Sequence, residues 1–201
     1  MKILHLSDIH FNDDASDAAE PDGYYRDQVV AKVRQETQDG KFDAIIISGD
    51  IAAKGKASEF VHAEAWIRQI CNISGCPEKH VYLVPGNHDV DRSVIGERRQ
   101  VFLAQDAIVS APNKDAALKQ TLADLDTGPA LFRPIEAYNK FAEPFECDVG
   151  PSDHGMWVRY LDLEHGYRLK IFGLNSVLLS SCRPRAGDDR PARSGADHGR
   201  R

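Results

Sequence analysis

Five side chains that can bind a divalent cation or move a proton fall in three short clusters. Asp8 and His10 stand in Asp8-Ile9-His10, Asp50 in Gly49-Asp50, and Asn87 and His88 in Gly86-Asn87-His88-Asp89. Two carboxylates, imidazole nitrogens and an amide oxygen together suit a hard or borderline divalent metal. A histidine at the rim of such a site can also give or take a proton near neutral pH. Each cluster follows a short apolar run, at residues 2–7, 44–48 and 81–84. Runs of this length, each ended by a break, read as buried strands. In an open parallel α/β sheet the carboxyl ends of the strands share one edge, where ligands bind. The five residues are therefore expected to converge despite their separation in sequence.

The elements between the clusters fit that arrangement. After a polar loop at residues 11–23, Tyr25, Val29, Val30 and Val33 mark one face of a helix ending near Gly40. A loop carrying Lys54-Gly55-Lys56 precedes a second helix, whose Phe60, Ala63, Ile67, Ile70 and Cys71 recur at helical spacing and stop near Gly75. Strand alternating with helix predicts parallel pairing through right-handed crossovers. Residues 94–145 change character: helical stretches follow one another, broken at Ala111-Pro112-Asn113 and at Thr127-Gly128-Pro129, with no strand between them. Two strand-like runs, 156–161 and 168–174, then flank a turn at Glu164-His165-Gly166-Tyr167.

The three clusters, in this order and each at a strand end, resemble the calcineurin-like metallophosphoesterases, strongly over residues 1–90 and weakly to about residue 180. The resemblance implies an α/β fold of the α/β/β/α sandwich type, with residues 1–182 as the N-terminal part of the domain and the helical insertion at about 94–145 shaping substrate access; helices that only pack, without touching substrate, are the alternative for that insertion. It implies hydrolysis of a phosphate monoester or diester at a dinuclear centre of manganese, iron or zinc. Two such ions neutralise phosphate oxygens and lower the pKa of a bridging water. By the same resemblance Asp8 and His10 hold the first ion, Asp50 bridges both, and Asn87 ligates the second. His88 sits beside the leaving group as the catalytic residue, and Asp89 orders its loop. The substrate expected is a small phosphate ester, nucleotides included.

Two departures from the family pattern stand out. Many members carry an acid a few residues after Gly-Asp to orient the catalytic histidine, whereas this chain has Ile51-Ala52-Ala53-Lys54-Gly55. The late histidines, usually ending in Gly-His-x-His, do not occur after Ser176. The second ion's shell is then short of ligands. This keeps a second reading open, a non-catalytic remnant or scaffold that retains the fold. Residues 183–201 hold no apolar periodicity and no β-branched or aromatic residue, so a disordered tail is expected there, from a truncation or a frameshift or as a genuine basic tail. The second sheet is expected to be C-terminally incomplete.

The bland alternatives are weaker. Asp8 and Asp50 could be helix N-caps, but both expected helices start well downstream. His5, His62, His80, His154, His165 and His198 belong to no cluster and read as structural or solvated. With 25 Lys and Arg against 31 Asp and Glu, the net charge of −6 disfavours a nuclease or another protein built on nucleic-acid backbones. No run reaches membrane-spanning length and no signal peptide precedes the first strand. The four cysteines lack Cys-x-x-Cys spacing. Reduced thiols and a cytoplasmic location are the expectation.

Overall fold

Three parallel strands, β1 (Ile3–Leu6), β2 (Ala44–Ile47) and β3 (Val81–Leu83), lie in the order β1-β2-β3. The structure, a computed structural model, describes residues 1–12 and 21–180. Register pairs Leu4 with Ile45 and Ile46 with Tyr82. The central strand explains its own composition: Ala44, Ile45 and Ile47 are wholly buried, as in a sheet covered on both faces. Helix α1 (Pro21–Glu36) and helix α2 (Ala57–Ser74) make the two crossovers. All five apolar residues expected on the inner face of α2 are buried, and Gly75 ends the helix in the left-handed conformation.

The inner face of α1 differs from expectation by one position. Val30 and Val33 are buried, but Tyr25 is 65 % exposed and Arg26 is the buried neighbour. The Arg26 guanidinium lies 4.6 Å over the Phe11 ring. A cation on an aromatic face tolerates burial that a periodicity argument assigns to the tyrosine.

Five helices follow: α3 (Arg92–Glu97), α4 (Arg99–Val109), α5 (Lys114–Ala123), α6 (Thr127–Phe132) and α7 (Glu136–Ala142). The break at Ala111-Pro112-Asn113 is where it was expected, with the Asn113 side chain capping α5 by accepting from the Ala116 N–H at 3.0 Å. Thr127-Gly128-Pro129 is instead the first turn of α6, where proline is tolerated. The break falls just before it. The Asp124 carboxylate there accepts from the Thr127 N–H at 2.7 Å.

Strands β4 (Met156–Asp162) and β5 (Arg168–Leu174) form an antiparallel hairpin. Its turn places His165 at φ 63°. Trp157 ties the hairpin to the first sheet: its indole N–H donates to the Leu83 carbonyl at 2.9 Å and its ring stacks on Tyr82. Gly173 faces that indole so closely that a Cβ would lie 1.9 Å from a ring atom. Among the described residues the second sheet has these two strands. The expected tail, 183–201, lies outside the described residues. No described helix is long and apolar enough to cross a membrane.

Candidate metal centre

The chain segments after β1 and β2 do not part where the regular strands end. Ile9 and His10 N–H groups donate to the Asp50 carbonyl at 2.9 and 3.1 Å, Phe11 N–H to Ile51 at 2.8 Å, and Ala53 N–H back to Phe11 at 2.8 Å. This pairing fixes the Asp8–His10 loop against the Asp50 loop through backbone bonds alone. Asp8, His10 and Asp50 have φ of 55°, 51° and 52°. That conformation costs a non-glycine residue about 1–2 kcal/mol, least for Asp, Asn and His types. The chemistry of the ligands and the bends of the backbone thus call for the same residues.

The β3 loop meets the same edge through two glycines. A Cβ on Gly49, at φ 103°, would lie 2.7 Å from the Gly86 backbone, and a Cβ on Gly86 would lie 2.2 Å from Asp50 Oδ1. Only a pair of glycines lets the two turns approach this closely. Asp89 then locks the loop. It is fully buried and accepts from the Ala52 N–H at 2.7 Å and the Gly86 N–H at 2.8 Å. Burial pushes its carboxyl up to about 6, against the downward pull of those N–H groups. The expectation that Asp89 orders the loop agrees with these contacts.

The result is a candidate site. Ligand atoms of Asp8, His10 and Asp50 all lie within 4.8 Å of one another. Asn87 lines the same groove of about 520 Å³ as Asp8 and Asp50, together with Ser7, Ser48, Ser176 and Ser180. Among the described residues no Lys or Arg pairs with either carboxylate. Two carboxylates and an imidazole gathered without a counter-cation fit a divalent ion by donor chemistry.

His88 stands beside this group. Its backbone N–H donates to Asp50 Oδ1 at 2.8 Å, and its ring meets the His10 ring edge-on at a centroid distance of 4.7 Å. Its Nδ1 is 2.9 Å from the Ala53 carbonyl. A carbonyl only accepts, so Nδ1 carries the proton and Nε2 is left for exchange. The sequence lacks the orienting acid, and a main-chain oxygen of the same stretch does that work. Residue types give no sign of it.

Among the described residues the histidines outside the clusters stay apart; His198 lies outside the described residues. His5 bonds Ser48 Oγ at 2.9 Å and His80 bonds the Asp43 carbonyl at 3.1 Å. His154 and His165 occupy turns. Among the described residues one group of His, Cys, Asp or Glu converges, namely Asp8, His10 and Asp50.

Comparison with known proteins agrees with this geometry. The family model for calcineurin-like phosphoesterase matches residues 1–182. The chain is also similar to YydB of Bacillus subtilis (strain 168), an uncharacterised metallophosphoesterase-like protein. The two are 26 % identical over 180 residues, which cover 90 % of this chain and 34 % of that one. The chain thus spans about a third of the length of the curated relative it matches.

Proposed function

This chain belongs to the calcineurin-like phosphoesterase family, and from that premise we propose that it is a metal-dependent hydrolase of phosphate monoesters or diesters with ions held by Asp8, His10, Asp50 and Asn87. The convergence of Asp8, His10 and Asp50 within 4.8 Å carries this reading. Two divalent ions of manganese, iron or zinc would neutralise the phosphate oxygens and lower the pKa of a water there. The chain's own residues do the rest. Asp8 and His10 would hold the first ion, Asp50 would serve both, and Asn87 would offer its amide oxygen to the second. To act as the acid, His88 would carry a proton on Nε2 as well as the Nδ1 proton held by the Ala53 carbonyl; it would pass the Nε2 proton to the departing oxygen and keep the one on Nδ1. A small phosphate ester, nucleotides included, is the proposed substrate. Cys71, Cys76 and Cys147 are free thiols, in keeping with a proposed cytoplasmic setting.

One observation favours a weaker form of the reading. Among the described residues no further His, Cys, Asp or Glu joins the group of Asp8, His10 and Asp50, and His88 is assigned to the leaving oxygen. We therefore propose weak binding of the second ion and low turnover for this chain. Calorimetric titration of manganese into the stripped protein, with hydrolysis of bis(p-nitrophenyl) phosphate and p-nitrophenyl phosphate, tests it. One ion bound well, a second bound weakly and slow hydrolysis abolished by chelator are expected. No binding at all would leave the non-catalytic scaffold.

A further inference from the structure

On the face of His88 that meets Ala53 lies a second cavity, of about 250 Å³, lined by Ala53, Lys54, Lys56, His88, Arg92 and Ser93 among others. Its charges are not balanced. Lys56 is committed to Asp91, with Nζ at 2.8 Å from Oδ1 and from Ser93 Oγ. Lys54 and Arg92 are exposed. Neither forms an ion pair among the described residues. Two cations without an ion pair at the rim of one cavity are notable in a chain of net charge −6. Such a spot concentrates anions locally against the overall field.

The backbone holds these cations in place. Gly55, at φ 70°, presses on the other loop so tightly that a Cβ would lie 2.6 Å from the Asp91 N and the Val90 carbonyl carbon. The Glu59 carboxylate accepts from the Lys54 and Lys56 N–H groups at 3.0 and 2.9 Å. On the facing loop, the Asp91 N–H donates to the Pro134 carbonyl at 2.7 Å. Lys54, from the loop before α2, and Arg92, at the start of α3, therefore line one cavity together with His88.

We propose that Lys54 and Arg92 bind a second phosphate carried by the departing alcohol, so that the preferred substrates are phosphate esters charged on both sides of the scissile bond. This rests on the reading of His88 as the residue beside the leaving oxygen. A phosphate takes charge-assisted hydrogen bonds from ammonium and guanidinium groups together. A neutral leaving group would leave both cations without a partner.

The test begins with the metal-stripped full chain titrated with inorganic phosphate and followed by amide NMR. Saturable shifts should cluster at Lys54, Gly55, Arg92 and Ser93. The charge reversal Lys54→Glu/Arg92→Glu should weaken binding by about tenfold or more, while Lys140→Glu, on a distant exposed pair, should not. In the manganese-loaded chain, adenosine 3′,5′-bisphosphate should bind about tenfold tighter than adenosine 5′-monophosphate, and the double reversal should erase that ratio. Phosphate shifts that survive the reversal, or equal affinity for the two nucleotides, overturn the proposal. Asp50→Asn separates the two readings: it should lose manganese and keep the phosphate shifts. Retained manganese in Asp50→Asn with intact phosphate shifts would refute the metal assignment and uphold the subsite.

Discussion

Gly86→Ala is the sharpest probe of how the site is built. A Cβ at residue 86 would lie 2.2 Å from Asp50 Oδ1 and 2.3 Å from the Asp50 backbone N. Carbon–oxygen contacts settle near 3.3 Å or beyond, so the overlap is about 1 Å. The carboxylate can rotate, but the backbone nitrogen cannot. The β2 and β3 loops must therefore separate by about that amount. The bond from the His88 N–H to Asp50 Oδ1 would then stretch from 2.8 Å to about 3.8 Å, outside hydrogen-bond range. Overpacking costs about 1–3 kcal/mol, and losing a hydrogen bond to a charged acceptor about 1–3 more. Urea denaturation in chelator should report a loss of about 2–6 kcal/mol. Manganese affinity should fall at least tenfold, since a misplacement of about 1 Å costs up to a hundredfold in a preorganised site. Gly96→Ala is the control: a Cβ there meets nothing within 4 Å, and alanine in a helix is neutral or mildly stabilising. A Gly86→Ala chain with wild-type midpoint and manganese affinity would refute the close approach on which the site depends.

Other perturbations read other parts of the molecule. His88→Ala should lower kcat by roughly 10²–10⁴, as for loss of a general acid, with a smaller loss on p-nitrophenyl esters than on alkyl esters; a uniform loss would assign His88 to positioning instead. Trp157→Phe, which leaves the Leu83 carbonyl without its donor, should cost about 1–3 kcal/mol in urea denaturation; an unchanged midpoint would show that the indole bond does not join the sheets. Burial pushes the Cys71 thiol up to about 11 and the Cys76 thiol up to about 12. In a Cys182→Ser background, disulfide-reagent labelling at pH 8 should therefore run at least about a hundredfold slower than in urea. Both folded pKa values lie above the ordinary thiol value of 9.0, so the stability contributed by burying the protonated thiols is complete below about pH 9 and is lost as pH rises toward 11 and 12. A midpoint that rises with alkali would contradict that sign.

The candidate site was legible because its ligands sit where strand and break alternate, and a break after an apolar run shows in residue types. The helical run at 94–145 was legible for the same reason, through periodicity. What stayed hidden is carried by main chain or by shape. The Ala53 carbonyl that orients His88 has no residue signature, since every residue owns one. The meeting of Gly49 with Gly86 involves two turns 37 positions apart, and neither glycine alone reveals the other. Arg26 displaced Tyr25 from the inner face because Phe11, from another element, offers its ring to a cation. Thr127-Gly128-Pro129 read as a break, yet proline inside a first turn is compatible with a helix start.

The same geometry implies that the site is held together at a cost when metal is absent. Asp8 and Asp50 are like charges within 4.8 Å. Asp8 is exposed and Asp50 half-buried, so screening holds their repulsion to about 1 kcal/mol. The three left-handed residues Asp8, His10 and Asp50 add about 1–2 kcal/mol each. Asp50→Asn keeps the backbone and an Oδ1 acceptor for the His88 N–H, yet removes one of the two charges. In chelator it should be as stable as the parent chain or about 1 kcal/mol more so. Manganese at a hundred times its dissociation constant should stabilise the parent by about 2.7 kcal/mol and Asp50→Asn by much less, which inverts the order. His165→Ala, in the hairpin turn, should leave the manganese effect intact. If Asp50→Asn were the less stable chain in chelator and gained as much as the parent from manganese, Asp50 would be a structural residue, not a metal ligand.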